Sequence, residues 1–173
     1  MKTAIEKETE KLAGLKLRYL GRASNLLWLG FGDLIDVVRR GETEELAEFA
    51  LHVQCAWRIT KASTIYVGSH DFYVPSSKWE GDMEDFYWDI QGNNRFDERV
   101  RWLMRSIKSG LVVENIEADT FGGLTVYLSN DYTLEIFPNS SETGDYSESW
   151  RLFRSGDDSP HFVVSGQRIE KFD

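Results

Sequence analysis

The sequence predicts an α+β domain in which a mainly antiparallel β-sheet is packed by one long helix and a short N-terminal helix. Apolar residues recur at alternate positions in segments near both ends of the chain, as in strands with one buried face. Between these segments, one stretch carries an apolar stripe at helical spacing. The 173 residues suffice for one substantial core and are few for two. We therefore expect a single domain over residues 1–173.

The N-terminal segment is predicted to be a short helix. Thr3 and Glu6 have the spacing of a capping box, which predicts a helix from about residue 4 to residue 13. Its apolar face contains only Ile5 and Leu12, so we expect it to lie on the surface of the domain and not to nucleate its folding.

The first half of the chain is predicted to contain most of one β unit. A first strand is expected at 15–19, and the continuous apolar run at 25–31 indicates a strand buried on both faces. The polar segment 41–48 is interpreted as a connector with a turn of helix. Apolar residues of one parity continue over 49–59, and 64–68 returns as a strand.

The long helix is predicted from about Phe96 to Ser109. Acidic residues fall in its first turn and basic residues further along, which complements the helix dipole, and Asn94 can cap it. Its apolar stripe consists of Phe96, Val100, Leu103, Met104 and Ile107.

The second half contains the clearest hairpin. Alternating residues at 124–129 and 132–137 flank Asn130 and Asp131, two residues that tolerate the left-handed conformation of tight hairpin turns. Further strands are expected at 111–116, 149–153 and 161–165.

An internal similarity relates residues 25–69 to residues 124–166. Each range has two strands, a Trp-Arg pair and a closing strand, so the chain contains either two similar β halves produced by duplication or convergent β patterning. Because neighbouring side chains of a strand point to opposite faces, Trp57 and Trp150 should enter the core. Arg58 and Arg151 should face outward or reach acids on a neighbouring strand.

Composition limits the possible partners. The chain has 29 acidic and 20 basic residues and a formal charge of −9, which disfavours binding to nucleic acid or an anionic membrane and suits a basic protein partner or solubility alone. Cys55 is the single cysteine, so no internal disulfide forms. The charged N-terminus lacks the apolar region of a secretory signal, and no apolar stretch is long enough for a membrane helix, so we expect a cytoplasmic protein.

Residues 72–94 form the least regular region and contain the candidate partner-binding residues. Acidic side chains alternate there with aromatic ones, a composition suited to steering and anchoring a basic partner. The alternative is an acidic loop whose aromatic side chains are buried in the core. The candidates are Glu80, Asp82, Glu84, Asp85, Trp88 and Asp89.

Catalytic and metal-binding patterns are weak. His52, His70 and His161 lack ligand spacing, and neither a nucleophile elbow nor a phosphate-binding glycine loop is present, so we expect no metal, cofactor or catalytic residue. Cys55 is interpreted as a small buried hydrophobic residue. Asp71 and Asp89 could serve as an acid–base pair if the fold joined them. For a small ligand, the candidates are Arg58, Asp71 and Arg151.

Three segments carry a resemblance to a known group: Arg22–Gly32, Leu51–Ile59 and Leu134–Phe153. The last contains a Phe-Pro-x-Ser-Ser loop followed by Trp-Arg and an aromatic end. The chain thereby resembles a family of small bacterial proteins of uncharacterised activity. This resemblance implies a bacterial cytoplasmic domain and transfers no catalytic residue. Some small acidic bacterial proteins of this kind are immunity proteins of toxin systems.

The sequence therefore favours a non-enzymatic protein-binding domain with an acidic surface, in the manner of an immunity protein that neutralises a basic bacterial partner. The alternative is a small hydrolase or small-ligand-binding protein that uses carboxylates and the arginines of the Trp-Arg pairs. Titratable residues converging in one deep pocket would favour the alternative, whereas a broad acidic face would favour the binding protein.

Overall fold

The computed structural model describes residues 1–106, 110–144, 147–166 and 168–172, and these residues build one antiparallel sheet of eleven strands with two helices. The helices are α1 (Lys2–Thr9) and α2 (Arg95–Ser106). The strands are β1 (Lys16–Ala23), β2 (Leu26–Arg39), β3 (Glu42–Val53), β4 (Ala56–Lys61), β5 (Thr64–Gly68), β6 (Leu111–Ala118), β7 (Leu124–Leu128), β8 (Tyr132–Phe137), β9 (Glu148–Arg154), β10 (His161–Ser165) and β11 (Arg168–Phe172). Their order across the sheet is β11-β10-β9-β3-β2-β1-β6-β7-β8-β4-β5.

The predicted α+β class with one long helix is wrong, because the fold is mainly β. Helix α2 has 12 residues and α1 has eight. The sheet is larger than predicted for two reasons. Residues 42–48, most of the segment interpreted as a connector, belong to β3, and β11 had no recognisable pattern. Residues Ile107, Lys108 and Ser109 of the predicted helix lie outside the described residues.

Helix α1 lies on the surface of the sheet, as predicted, and packs its thin apolar face against the core. Ile5 and Leu12 are fully buried, because a 3-10 turn at Glu10–Leu12 extends the apolar face of the helix by one position. The buried Thr9 hydroxyl donates to the carbonyl of Ile5 at 2.9 Å, so its polar group is satisfied. No capping box forms, since Met1 is the N-cap and makes no side-chain cap.

Several local predictions are confirmed. Strands β7 and β8 form the expected hairpin, and Asn130 and Asp131 have φ angles of 62° and 61°, as a tight two-residue turn requires. Phe96, Val100 and Leu103 of α2 are buried as predicted.

The strand order is symmetric about the β1–β6 pair. Moving outward, β1, β2, β3, β9 and β10 occupy the same positions as β6, β7, β8, β4 and β5. Each helix directly precedes the first strand of its series, α1 before β1 and α2 before β6. The second hairpin of each half pairs with the other half, since β9 joins β3 and β4 joins β8. A duplication with exchanged hairpins would produce this order, and the duplication itself stays a prediction.

Both tryptophans of the Trp-Arg pairs are core residues, as predicted, with 1% exposure for Trp57 and 0% for Trp150. Trp57 contacts the rings of Phe72 and Phe96 at centroid distances of 5.7 and 5.8 Å. The indole N–H of Trp150 donates to the carbonyl of Gly122 at 2.8 Å. Equivalent strands of the two halves thus each place a tryptophan in the same core.

The two halves differ in the length of their first hairpins. Strands β2 and β3 have 14 and 12 residues, whereas β7 and β8 have five and six. The β2–β3 register shifts between Phe31 and Leu34, and Gly32 at this bulge has a φ of +92°. Beyond the bulge, residues 33–48 form a two-stranded extension that we call the arm. Among the described helices, neither has the length and apolar character needed to cross a membrane.

Candidate functional site

The candidate partner-binding residues lie on one closed loop. Residues 79–90, which we call the acidic–aromatic segment, contain no strand and only a short 3-10 turn at Met83–Asp85. Backbone hydrogen bonds close the base of the loop, from Ser76 N to Asn93 O at 2.7 Å and from Arg95 N to Val74 O at 2.8 Å. The loop therefore returns directly to the start of α2.

A buried ion pair fixes this loop to the sheet. Arg22 on β1 and Asp97 in the first turn of α2 each have side chains only 2% exposed. The guanidinium Nε and Nη2 donate to the two oxygens of Asp97 at 2.9 and 3.0 Å. The Asp97 carboxylate also accepts from Gly92 N at 2.7 Å and from Gln91 Nε2 at 3.1 Å. Four donors therefore satisfy a carboxylate that has lost its hydration.

Arg22 also holds the end of the acidic–aromatic segment. Its Nη1 donates to Asp89 Oδ1 at 3.0 Å, and its Nη2 donates to the carbonyl of Asp89 at 3.2 Å. The hydrogen bond to Asp97 is the main cause of the raised pKa of Arg22, and it outweighs the desolvation that acts in the opposite direction. Asn94 adds a hydrogen bond from Nδ2 to the carbonyl of Trp88 at 2.8 Å, while its Oδ1 caps α2 at Asp97 N, as predicted.

The segment presents acidic and apolar side chains together. Trp88, the aromatic residue predicted to bind the partner, is not among the exposed apolar side chains. It is half-buried and packs against the core and against Tyr73. Tyr87, Met83 and Ile90 are exposed by 66%, 64% and 53%. The carboxylates around them are exposed as well: Glu80, Asp82, Glu84, Asp85 and Asp89.

The alternative of a fully tucked loop holds for only part of the segment. Trp79 and Phe86 are half-buried and contact each other edge to face at 5.5 Å. Their packing gives the loop a small internal core, while Tyr87 remains on the outside.

The arginines of the Trp-Arg pairs are bound to acids within the sheet. Arg58 lies opposite Glu135 on β8 and donates to both of its carboxylate oxygens, with Nη2 to Oε1 at 2.8 Å. The Arg58 hydrogen bond is the main cause that lowers the pKa of Glu135. Arg151 pairs with Glu148 and lies 3.5 Å from His161 Nδ1. Both guanidinium groups are thus neutralised by the sheet itself, and these positions do not form a shared ligand site.

Asp71 and Asp89, considered together as an acid–base pair, bind different arginines. Asp71 accepts a hydrogen bond from Gly68 N at 2.8 Å and lies 3.7 Å from Arg95. Asp89 binds Arg22. Within the described ranges, no group of three or more His, Cys, Asp or Glu side chains has the geometry of a metal site.

A small polar pocket of about 230 Å³ contains the residues closest to a hydrolase arrangement. Cys55 and His70 line it together with Asn25, Gln54, Ser69 and Asn139. Burial raises the pKa of the Cys55 thiol to about 12, so the thiol stays protonated at neutral pH. Because the thiolate is the nucleophile in cysteine hydrolases, this pocket lacks an activated nucleophile.

No family model, curated protein or solved structure matches this chain. The resemblance to the bacterial family with the Phe-Pro-x-Ser-Ser loop stays a prediction.

Sequence reasoning missed the residues that organise the site. Arg22 and Asp97 are 75 positions apart, and Asp97 has an ordinary place in the first turn of a helix. The one available signal was Arg22 itself, a charged residue in the strand that precedes the apolar run of β2. The sequence also did not distinguish Tyr87 from its aromatic neighbours. Which of these aromatic side chains is exposed depends on the conformation of the loop.

Proposed function

We propose that the protein binds a basic protein partner through the acidic–aromatic segment and performs no catalysis. The observation that carries this proposal is the exposure of Tyr87, Met83 and Ile90 among five exposed carboxylates on a loop fixed by the buried Arg22–Asp97 pair. Exposed apolar side chains grouped on one loop are typical of interaction surfaces.

The physical roles of the two side-chain types differ. Carboxylates attract a basic surface at long range and raise the association rate, and salt weakens this effect. Tyr87 and Met83 lose water on contact and slow dissociation, since aromatic and flexible apolar side chains supply much of interface energy. Because the Arg22 hydrogen bonds hold the loop in place before binding, little entropy is lost when the partner docks.

The proposal includes an immunity-like role, in which the segment covers the basic surface of a bacterial toxin in the cytoplasm. A basic enzyme that acts on nucleic acid has the required charge, and a chain with a formal charge of −9 complements it. The hydrolase alternative is less well supported, because the Cys55 thiol is protonated and Arg58 and Arg151 are already paired with acids.

Association kinetics test the proposed attraction of the basic partner by the carboxylates of the segment. The captured partner is titrated against a triple variant in which Asp82→Asn, Glu84→Gln and Asp85→Asn are combined. The matched control replaces three exposed acids elsewhere, Glu42, Glu44 and Glu114, by Gln, so the net charge changes equally. We expect the association rate at low salt to fall about tenfold or more for the segment triple, and much less for the control. Equal rates for the two triples would exclude the segment as the steering surface.

A single substitution tests the proposed contact between the exposed Tyr87 and the partner. Tyr87→Ala should raise the dissociation rate by about tenfold or more with little change in association. Trp102→Ala is the matched control, because Trp102 is an exposed aromatic residue on α2, 48% exposed, outside the segment. An unchanged dissociation rate for Tyr87→Ala would contradict the proposed contact.

A further inference from the structure

The β1–β6 symmetry of the sheet makes one difference between its halves conspicuous. The outer face of β7 and β8 carries Thr125, Tyr127, Thr133 and the Glu135 that pairs with Arg58. The outer face of the equivalent strands β2 and β3 carries aromatic side chains, and the arm stands beside it. A cleft of about 390 Å³ lies between that face and the arm. The corresponding face of β7 and β8 lines a smaller pocket of about 260 Å³, with no such extension among its described strands.

Two strand glycines shape the floor of the cleft. A Cβ atom at Gly21 would lie 2.3 Å from the ring of Trp28, and one at Gly30 would lie 2.3 Å from the ring of Tyr19. Each aromatic ring thus packs closely against a glycine of the neighbouring strand, where any side chain would displace it. Glycine weakens a strand interior and is found where another group must approach closely. The two glycines therefore allow the Trp28 and Tyr19 rings to pack closely against the neighbouring strand at the base of the cleft.

The arm is fastened to this floor. The Tyr19 hydroxyl accepts a hydrogen bond from the backbone N–H of Ala47 on the arm at 2.7 Å. The Tyr19 and Trp28 rings meet edge to face at 5.5 Å, which fixes their relative orientation. The cleft is therefore formed before any ligand enters.

Polar groups at the wall of the cleft are available for a ligand. His52 on β3 is half-buried and contacts Phe153 edge to face at 4.9 Å. The rings of His52 and Trp28 both line the cleft. Burial, followed by the charge of Arg151, lowers the pKa of His52, so the imidazole is neutral and offers one donor and one acceptor. Arg39 and Glu45 stand at the rim with opposite charges.

We propose that this cleft binds a small planar heteroaromatic molecule, stacked on Trp28 and hydrogen-bonded to His52. A volume of about 390 Å³ is within the range of roughly 300–1,000 Å³ for small-molecule sites. Flat ring faces favour a planar ligand, and a neutral imidazole suits a ring that carries both donor and acceptor atoms. The opposite charges at the rim favour a ligand with no net charge. This site is separate from the acidic–aromatic segment and does not depend on the proposed partner.

Adenine, nicotinamide and indole are the probes, and cyclohexanol is the non-planar control. Binding is followed by the ¹H–¹⁵N resonance of the Trp28 indole, which a Trp28→Phe variant assigns. We expect at least one probe to shift this resonance saturably with a dissociation constant below about 1 mM, and cyclohexanol to bind at least ten times more weakly. Absence of a saturable shift with all three probes, or equal binding of cyclohexanol, would overturn the proposal.

Substitutions locate the bound probe. Gly21→Val should displace the Trp28 ring and weaken binding about tenfold or more, and His52→Ala should weaken it about fivefold or more. Trp28→Leu tests the same contact if the valine variant does not fold. Thr125→Ala is the matched control, because Thr125 occupies the equivalent place on β7, and it should leave binding unchanged. Equal affinity of Trp28→Leu and the unmodified protein would refute stacking on Trp28 and with it the proposed site.

Discussion

Replacing Asp97 by Asn should strongly destabilise the protein and loosen the acidic–aromatic segment. The substitution keeps the shape of the side chain and removes its charge, which leaves the guanidinium of Arg22 in the interior with only the exposed Asp89 as a charged partner. Two of the four hydrogen bonds to Asp97 are charged bonds from Arg22, each worth about 1.5–3 kcal/mol. Because the amide still accepts part of this network, the expected loss of unfolding free energy is about 3–5 kcal/mol, as for other broken buried ion pairs.

Urea denaturation followed by tryptophan fluorescence measures this loss, with the denaturant dependence compared to confirm that the unfolded state is unchanged. Asp89→Asn is the matched control, because its carboxylate is 60% exposed and binds the same arginine, so its effect should stay below about 1 kcal/mol. An Asp97→Asn protein within about 0.5 kcal/mol of the unmodified protein would refute the conclusion that the pair fixes the loop.

Three further predictions concern the core and the cleft. Leu103→Ala should cost about 2–5 kcal/mol, since Leu103 is 1% exposed in the α2 stripe, and an unchanged urea midpoint would contradict its burial. Trp150→Ala should cost about 3–5 kcal/mol and leave the Gly122 carbonyl without its donor; rapid acrylamide quenching of Trp150 in the folded protein would contradict this. Because the pKa of His52 is lowered in the fold, its contribution to stability is present above the unfolded pKa of about 6.5 and is lost as the pH falls. His52→Gln should therefore flatten the dependence of the urea midpoint on pH between about 7 and 5.

The sequence predicted those elements whose neighbours in space are also neighbours in the chain. The β7–β8 hairpin depends on Asn130 and Asp131 and on alternation within a dozen residues, so its pattern is local. The burial of Trp57 and Trp150 is also a local property, because side chains alternate between the two faces of a strand. The arm was not recognised, because both faces of residues 41–45 are exposed and an exposed ribbon has no alternation of apolar and polar residues.

Features that depend on register between distant strands were not predictable. The role of Gly30 requires knowing that it pairs with Tyr19 of the adjacent strand, whose ring packs against it. The role of Gly21 requires knowing that it pairs with Trp28. The Arg22–Asp97 pair likewise joins a strand of one half to the helix that precedes the other.

The pairing of β9 with β3 and of β4 with β8 has a consequence for how the chain folds. Strand β3 obtains its outer neighbour only when residue 150 meets residue 53, and β4 needs residue 136 to meet residue 57. Such distant pairings give a high contact order, so folding should be slow compared with that of local hairpins. During synthesis, the first five strands reach the solvent with three edges, at β1, β3 and β4, whose partner strands have not yet been made. The nascent chain is consequently exposed to edge-to-edge association until the last hairpins emerge.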